Sequence, residues 1–489
     1  MLKPLLVAFS ALILVSCTEP KAPVVKVDGG SIQGKAWNGG LLFRGIPFAA
    51  PPVGDLRWKP PQPVRVWAGV RESLDQPASC IQNDQGWNHA DFVIGNEDCL
   101  TLDVRTPSMS GKLPVLVWIH GGSNRAGGPN DIIFSDVGEK VIIVGVRYRL
   151  GMFGFLSHRK LTAEQGASGN YGLMDQIAAL KWVQRNIAKF GGDPANVTIA
   201  GESAGSQDVS LMLAAPAARP LFARAIMESG TPLFGLTQRS LHDAEMIGDQ
   251  ADALLNTGGD LAKLRRASPA AVLAADLKLH DDTLEADDFM WLRTTTDGSV
   301  ISKSVRQLLQ EAPAKPIIIG SNRIELELPG GPPHRDSLVA RSFERNSQAA
   351  RAYYKLDEAD PPEDPRLGSR NVQIATDITF RCPATRLATI WAVKGAPVWH
   401  YEFDSVPGGG KTAHAAEISY AFGTLEYAPG LQLKPYWLNF IRSGNPNGGN
   451  MPQWPPFTAS RPSHVLFSAA GVTPQGALRP EICSLLDRI

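Results

Sequence analysis

The segment VTIAGESAG occupies residues 197–205 and joins a short apolar run to a glycine-rich turn. Residues 197–200 have the apolar pattern of a buried strand, and the helical pattern after Ser203 ends before Pro216. A strand that enters a helix through G-x-S-x-G holds its serine in a strained turn, and the two small glycines let strand and helix pass closely. The segment therefore predicts an exposed, reactive Ser203 at the tip of a strand-turn-helix unit.

Apolar runs of strand length recur on both sides of this unit. Amphipathic helical patterns separate them, most clearly at residues 173–183. Alternating buried strands and helices predict an α/β fold with a central, mostly parallel mixed sheet flanked by helices. Residues 235–315 are helical and Ala-rich in pattern, and we expect them to form cap insertions over the sheet. The further candidate strands are residues 113–119, 141–146, 225–227, 317–319 and 398–403.

The charge balance of the chain argues against an electrostatic partner. The 489 residues contain 48 Lys+Arg and 48 Asp+Glu, without a long run of either sign. Binding to nucleic acid or to an anionic membrane surface usually requires a basic patch, so we expect no nucleic-acid partner. Hydrophobic residues make up 43% of the chain and are spread along it, which indicates a globular protein with a large core.

The N terminus has the pattern of an export signal. Lys3 precedes an apolar run at residues 5–15, which is too short to span a bilayer of about 30 Å. The run closes on Leu14-Val15-Ser16-Cys17, which resembles a bacterial lipobox. It predicts a signal peptide at residues 1–16, a lipidated Cys17 and a tether at residues 17–26. The expected location is the bacterial cell envelope, periplasm or outer membrane, with membrane contact only through the lipid; an ordinary cleaved signal and a secreted protein are the alternative.

Four cysteines remain once Cys17 is set aside. Export implies an oxidising compartment, where an even set of cysteines forms disulfides, although buried free thiols are the alternative. Four cysteines allow three pairings. The set is Cys80, Cys99, Cys382 and Cys483.

A second glycine-rich turn lies upstream of Ser203. The segment VLVWIHGGS, residues 115–123, is a strand pattern that breaks into glycines. Acyl transfer needs hydrogen-bond donors for the oxyanion that develops on the substrate, and an HGG-type loop supplies them in some hydrolases. We expect the amides of Gly122, Ser123 and Ala204 to be these donors, with Gly121 as a close alternative.

Four further segments accompany GESAG in a fixed order. They are FRGIPFAAPPVGDLRW at residues 43–58, EDCLTLDV at 97–104, YRLGMFGFL at 148–156 and GNYGLMDQ at 169–176. Together they resemble the type-B carboxylesterase and cholinesterase family of α/β hydrolases, and the likeness covers nearly all of the mature chain.

This resemblance implies an α/β-hydrolase fold in one catalytic domain over residues 27–489. It also implies hydrolysis of small-molecule carboxylic esters, without a cofactor or a metal, and the disulfides Cys80–Cys99 and Cys382–Cys483. The central disulfide of the cholinesterases has no cysteines here. The sequence does not indicate an oligomeric state.

The serine needs a base, and His is the side chain that exchanges a proton near neutral pH. In this fold the chain order is Ser, acid, His, which leaves four candidates. His414 follows the flexible glycines 408–410, and its segment HAAEISYAF resembles the His segment of the family. We therefore predict His414 as the base. The other candidates are His334, His400 and His464; of these, His400 lies inside a strand pattern and His464 precedes one, where core or surface roles are expected.

The acid that orients the base is less clearly marked. The segment PIIIGSNRIE, residues 316–325, ends a strand in a G-x-N turn, and Glu325 falls where the family carries its catalytic Glu. Family members usually have a Gly after this Glu, whereas Leu326 and Glu327 follow here. Glu325 is the predicted acid and Glu327 the alternative. Ser229 matches a family position behind the triad.

These residues predict a serine carboxylesterase that acts through an acyl-enzyme on Ser203. Two alternatives stay open: a non-catalytic, cholinesterase-like binding protein, and an amidase, peptidase or lactonase that uses the same triad. Cholinesterase activity itself is not expected, because the loop between Cys80 and Cys99 is short and its single Trp87 suits packing. Residues 289–292 align loosely with the acyl pocket of relatives.

Overall fold

The computed structural model describes residues 21–135, 137, 140–235, 239–281, 294–327, 331–423, 431 and 433–486. The predicted signal peptide, Cys17 and residues 289–292 lie outside these ranges. The described strands are β1 (Lys21–Val27), β2 (Gly30–Trp37), β3 (Gly40–Pro47), β4 (Val70–Glu72), β5 (Ser79–Cys80), β6 (Gly95–Asn96), β7 (Thr101–Thr106), β8 (Leu113–Ile119), β9 (Ile142–Val146), β10 (Gly192–Glu202), β11 (Arg224–Glu228), β12 (Arg239–Ser240), β13 (Thr295–Thr296), β14 (Ile317–Asn322), β15 (Val398–Asp404), β16 (His464–Ser468) and β17 (Gly471–Gln475).

One mixed sheet organises the molecule. It has 13 strands in the order β1-β2-β3-β7-β9-β8-β10-β11-β14-β15-β16-β17, with β4 paired to β2. The run from β9 to β16 is parallel. The pairs from β1 to β9 along the order and the last pair, β16–β17, are antiparallel, whereas β4 pairs with β2 in parallel. The predicted α/β fold with a mostly parallel mixed sheet is therefore confirmed.

Helices cover both faces of the sheet. They are α1 (His89–Val93), α2 (Asn130–Ile133), α3 (Gly151–Phe155), α4 (Arg159–Gln165), α5 (Tyr171–Asn186), α6 (Ala204–Ala214), α7 (Leu241–Leu255), α8 (Leu261–Arg266), α9 (Pro269–Asp276), α10 (Val305–Glu311), α11 (Gly331–Phe343), α12 (Ser347–Tyr354), α13 (Arg370–Thr376), a π-helical turn (Asp377–Arg381), α14 (Cys382–Val393), α15 (Ile418–Ala421), α16 (Leu433–Ser443) and α17 (Pro480–Cys483).

Strand β8 shows why its sequence is apolar throughout. Side chains alternate between the faces of a strand, so a strand covered on both faces needs apolar residues at every position. Val115, Val117 and Ile119 pack in the core that contains Trp182 of α5. On the other face, Leu116 and Trp118 pack in the core that contains Trp437 of α16, among other residues.

The region at residues 235–315 contains helices α7 to α10, and each of these four helices begins at a capping side chain. Ser240, Asp260, Ser268 and Ser304 each accept a hydrogen bond from a first-turn amide, the arrangement that stabilises helix starts. The short parallel pair β12–β13 was not expected from the sequence. A cap role for this region stays a prediction.

The sheet begins earlier than the predicted domain boundary. Residues 21–26, which we assigned to the tether, lie in β1 and pair with β2. The alternating pattern explains this position, because Val25 and Val27 are buried while Val24 is exposed. Pro23 has no N–H and is compatible with this place at the edge of the sheet.

The structure contains two disulfides within the described residues. Cys80 pairs with Cys99 across 5.0 Å between Cα atoms, and Cys382 pairs with Cys483 across 4.8 Å. These are the pairings that the family resemblance implied, and they are consistent with an exported protein. Within the described part of the chain, the helices are all too short or too polar to cross a membrane.

Candidate active site

Ser203 occupies the turn between β10 and α6. Its backbone has φ 55° and ψ −124°, a conformation that a serine adopts only under strain. Its N–H donates a hydrogen bond of 2.9 Å to the carbonyl of Glu228 on the neighbouring strand β11. The turn is therefore held in its strained form by the sheet next to it.

The two glycines of the motif are required by close backbone contacts. A Cβ on Gly201 would lie 2.5 Å from the carbonyl carbon of Gly205. A Cβ on Gly205 would lie 2.1 Å from the carbonyl oxygen of Ile119, at the end of β8. Helix α6 can start at this place only because both residues lack a side chain.

The glycine-rich turn after β8 lies directly against Ser203. A Cβ on Gly121 would be 3.0 Å from the Cβ of Ser203, and Ser123 has a left-handed φ of 56°. The hydroxyl of Tyr148 supports the turn, because it donates to the carbonyl of His120 at 2.8 Å. The first amides of a helix, such as that of Ala204, have no acceptor within the helix and can serve a ligand. The predicted oxyanion donors thus come from two adjoining turns.

His414 and Glu325 are hydrogen-bonded to each other. Nδ1 of His414 lies 2.7 Å from Oε2 of Glu325, and the His414 backbone N–H donates to the Glu325 carbonyl at 3.3 Å. The imidazole is 18% exposed, so a substrate can reach it, whereas the Glu325 carboxylate is fully buried. Glu327 points to solvent. Of the two candidate acids, the structure brings only Glu325 to His414.

Glu202 is the second carboxylate beside the imidazole. Its Oε1 lies 3.2 Å from Nε2 of His414, so Nε2 faces the turn that carries Ser203. Burial raises the pKa of Glu202 to about 8. Burial alone would lower the pKa of His414, but the carboxylates of Glu202 and Glu325 outweigh it and raise that pKa. The imidazole of His414 therefore holds its proton more strongly than a free histidine does.

Behind this pair lies a buried carboxyl cluster that sequence reasoning missed in part. It consists of Glu202, Glu228, Glu325 and Glu417. Burial and then the charge of Glu325 raise the pKa of Glu417 to about 7, and burial also raises the pKa of Glu228 well above its ordinary range. The position of Glu417, three residues after His414, was the only sequence signal that could have indicated it.

Polar side chains connect the cluster to the acid. Asn322 donates its backbone N–H to Glu325 at 2.6 Å and its side-chain amide to Glu417 at 2.6 Å. The hydroxyl of Ser229 donates to Glu325 at 2.7 Å and lies 3.0 Å from Glu417. Ser229 therefore contacts the predicted acid directly, in the position behind the triad that the sequence suggested.

Three histidines considered earlier lie elsewhere. His400 is buried in β15 against Phe457, and burial lowers its pKa to about 3. His464 in β16 has its Nδ1 2.8 Å from the carbonyl of Gly476, and His334 lies in α11. Trp87 differs from the packing role that we inferred, because it is 66% exposed and lies beside Gly122.

Comparisons with known proteins agree with this architecture. The model of the carboxylesterase family matches residues 21–331 and 332–483. Rat carboxylesterase 1D is 33% identical over 514 residues, which cover 91% of this chain and 90% of the relative. A fumonisin B1 esterase of Sphingopyxis macrogoltabida is 32% identical over 487 residues, covering 90% and 86%.

Solved structures give the same result. A PNB esterase is 30% identical with a TM-score of 0.81, covering 95% of this chain and 99% of the other. A thermophilic PNB esterase is 28% identical with a TM-score of 0.83 and the same coverage. The chain belongs to the carboxylesterase family and has its α/β-hydrolase fold. It is a carboxylic ester hydrolase.

Proposed function

We propose that this hydrolase cleaves small-molecule carboxylic esters through an acyl-enzyme on Ser203. His414 takes the proton of the Ser203 hydroxyl while the oxygen attacks the ester carbonyl carbon. The amides of Gly122, Ser123 and Ala204 donate to the oxyanion. His414 then gives its proton to the leaving alcohol, and the ester C–O bond breaks.

The second half of the reaction repeats these steps with water. His414 takes a proton from a water molecule, whose oxygen attacks the acyl carbon bound to Ser203. The proton returns to the Ser203 oxygen as the carboxylic acid leaves. Glu325 holds the imidazole through Nδ1 and stabilises its charged form in both halves.

The observation that carries this proposal is the 2.7 Å contact between Glu325 and His414, whose Nε2 faces the Ser203 turn. A base that is oriented by a buried carboxylate, next to a strained serine, has the arrangement of an activated nucleophile. A protein that only bound ligands would have no use for the strain at Ser203.

Ser203→Ala tests the mechanism. We expect the turnover of a chromogenic short-chain ester to fall by about 10⁵–10⁶-fold, since a triad nucleophile supplies most of the catalysis. Ser210→Ala, in the same helix, is the matched control and should keep its activity. A fluorophosphonate should label wild type at Ser203 and leave Ser203→Ala unlabelled. Turnover within tenfold of wild type in the Ser203 variant would contradict the acyl-enzyme.

The same triad serves amidases and lactonases, so substrate range needs its own measurement. We propose that esters are the substrates, because family membership supports ester hydrolysis. Matched ester, amide and lactone substrates with one acyl group should give the highest kcat/KM for the ester. A higher kcat/KM for the amide would assign the protein to the other class.

We also propose that the mature protein is a lipoprotein anchored at Cys17 in the cell envelope. The lipobox-like Leu14-Val15-Ser16-Cys17 supports this, and the two disulfides are consistent with export. Mass spectrometry of the mature N terminus should find lipid on Cys17. A mature chain that starts elsewhere, without lipid, would make the enzyme a soluble exported protein.

A further inference from the structure

The point where the chain enters the sheet lies far from the catalytic turns. Ser203, the Gly121–Gly122 turn and Glu325 all follow the C-terminal ends of parallel strands. Strand β1, by contrast, lies at the opposite ends of these strands. Asp28, in the turn between β1 and β2, pairs with Arg185 at the C-terminal end of α5 at 2.7 Å.

The other end of the β1–β2 pair lies at the same side of the sheet. The β2–β3 hairpin returns at Gly40, where a Cβ would be 2.5 Å from the carbonyl of Thr106 at the end of β7. The Thr106 hydroxyl donates to the carbonyl of Phe190, and Gly191 accepts the amide of Leu113 at the start of β8. The β2–β3 hairpin therefore lies on the side of the sheet on which β8 starts, with β3, β7 and β9 between β2 and β8.

The length of β8 measures how far apart the two sides are. The strand has seven residues from Leu113 to Ile119, which are six steps along the strand. At about 3.3 Å per residue, the catalytic turns lie about 20 Å along the strand direction from the side of the sheet that carries the β2–β3 hairpin.

The chain between the predicted lipid and the sheet is short. Cys17 precedes Lys21, the first residue of β1, by four positions. Even a fully extended chain of four residues reaches about 14 Å. Lys21 therefore lies within about 14 Å of the predicted lipidated residue, and Lys35, its partner on β2, lies one strand spacing of about 5 Å further.

We propose that the lipid anchor holds the β1–β2 edge against the bilayer, with the catalytic turns open to the aqueous side. The substrates are then esters dissolved or dispersed in water, rather than esters embedded in the membrane that holds the enzyme. This inference rests on the proposed lipidation of Cys17. It commits the edge to one partner, the lipid surface.

The side chains at this edge suit a lipid headgroup region. Trp37 ends β2, and its ring lies 5.1 Å from that of Phe134, which is 39% exposed. Aromatic rings favour the interface between water and lipid, and a lysine such as Lys35 is attracted to anionic headgroups. Val24 of β1 is also exposed.

The orientation can be measured with labels on the lipidated mature protein in vesicles. Lys35→Cys places a fluorophore at the proposed membrane edge. Val93→Cys places one in α1, whose Asp91 lies against Gly128 of the oxyanion loop, and Val93 is 65% exposed. With acceptor lipids in the vesicle, energy transfer should be stronger from position 35 than from position 93. Equal or reversed transfer would overturn the orientation.

The substrate class needs a second measurement with the same vesicles. Wild type should hydrolyse a water-soluble ester as fast as the unlipidated Cys17→Ala variant. It should gain less than twofold over that variant on an ester dissolved in its own bilayer. A flexible insertion of about 30 residues after Pro20 frees the orientation and should raise hydrolysis of the embedded ester at least tenfold.

The outcomes distinguish failure of this inference from failure of the two proposals on which it rests, the lipidation of Cys17 and ester hydrolysis at Ser203. Wild type that hydrolyses the embedded ester more than twofold faster than Cys17→Ala would overturn the inference while leaving the esterase intact. A mature chain without lipid would overturn the inference because the anchor is missing, and it would leave the catalytic proposal intact. A wild-type protein that does not hydrolyse the water-soluble ester would instead contradict the catalytic proposal.

Discussion

The turn after β10 and the turn after β14 lie two strands apart in one sheet, yet they are built differently. The turn at Ser203 is shaped by its own glycines and the strand beside it. The turn at Glu325 lacks the glycine that relatives carry, and distant side chains hold it. Thr376 accepts the Glu325 N–H at 3.3 Å, and Arg381 donates to the Arg323 carbonyl at 2.6 Å.

The difference shows two ways to fix a side chain of the proposed triad. A turn that depends on close backbone contact needs small residues, which leave a signature in a few adjacent positions. A turn that depends on hydrogen bonds from other elements leaves no such signature, because its partners lie far away in the chain. Glu325 is 96 positions from Ser229 and 89 from His414, both of which contact its carboxylate.

The largest effect should come from removing the charge of the acid. Glu325→Gln should lower kcat by about 10³–10⁴-fold, because the imidazole loses the carboxylate that fixes its tautomer. Glu327→Gln is the matched control two residues away and should stay within threefold of wild type. Steady-state kinetics on one ester distinguish the two, and the reverse pattern would move the acid to Glu327.

A substitution in the glycine turn at Ser203 should lower the stability of the protein. Gly205→Ala forces a methyl group against the Ile119 carbonyl, and we expect a loss of about 1–3 kcal/mol in the free energy of unfolding, with reduced activity. Gly476→Ala is the control, because no atom lies within 4 Å of the added Cβ. Denaturant unfolding measures both. Unchanged stability in Gly205→Ala would mean that the turn relaxes more easily than its contacts indicate.

A smaller effect is expected at Ser229. Ser229→Ala removes one of the hydrogen bonds to Glu325 and should lower kcat about tenfold without changing KM, which corresponds to about 1.4 kcal/mol. In the Glu325→Gln background, the same substitution should cost little more, since the two residues act together. Additive losses would show that Ser229 acts independently of the acid.

The smallest effect concerns the pH profile. The ionised Glu202 raises the pKa of His414, and the base works only when it is neutral. The acid limb of kcat/KM therefore follows the deprotonation of His414 as pH rises. Glu202→Gln removes the charge at 3.2 Å, so this limb should move to lower pH. A limb that stays in place or moves upward would show that Glu202 does not act on His414.

Much of the fold was predictable, because buried parallel strands are continuously apolar and the helices between them are periodic. Helix α5 extends only two residues before and three after the predicted residues 173–183. The start of the sheet was less predictable. Residues 21–26 contain polar and proline positions typical of a tether, and only their pairing with β2 places them in the sheet.

The candidate site divides in the same way. Ser203 and the glycine turn at residues 121–122 were recognisable from adjacent residues, since steric contact over a few positions requires glycine. Tertiary structure decided three other features: the choice of Glu325 over Glu327 as the partner of His414, the exposure of Trp87, and the cluster that includes Glu228 and Glu417. Their partners come together only when separate strands and loops pack, and burial of several carboxyl groups in one place is what raises their pKa values.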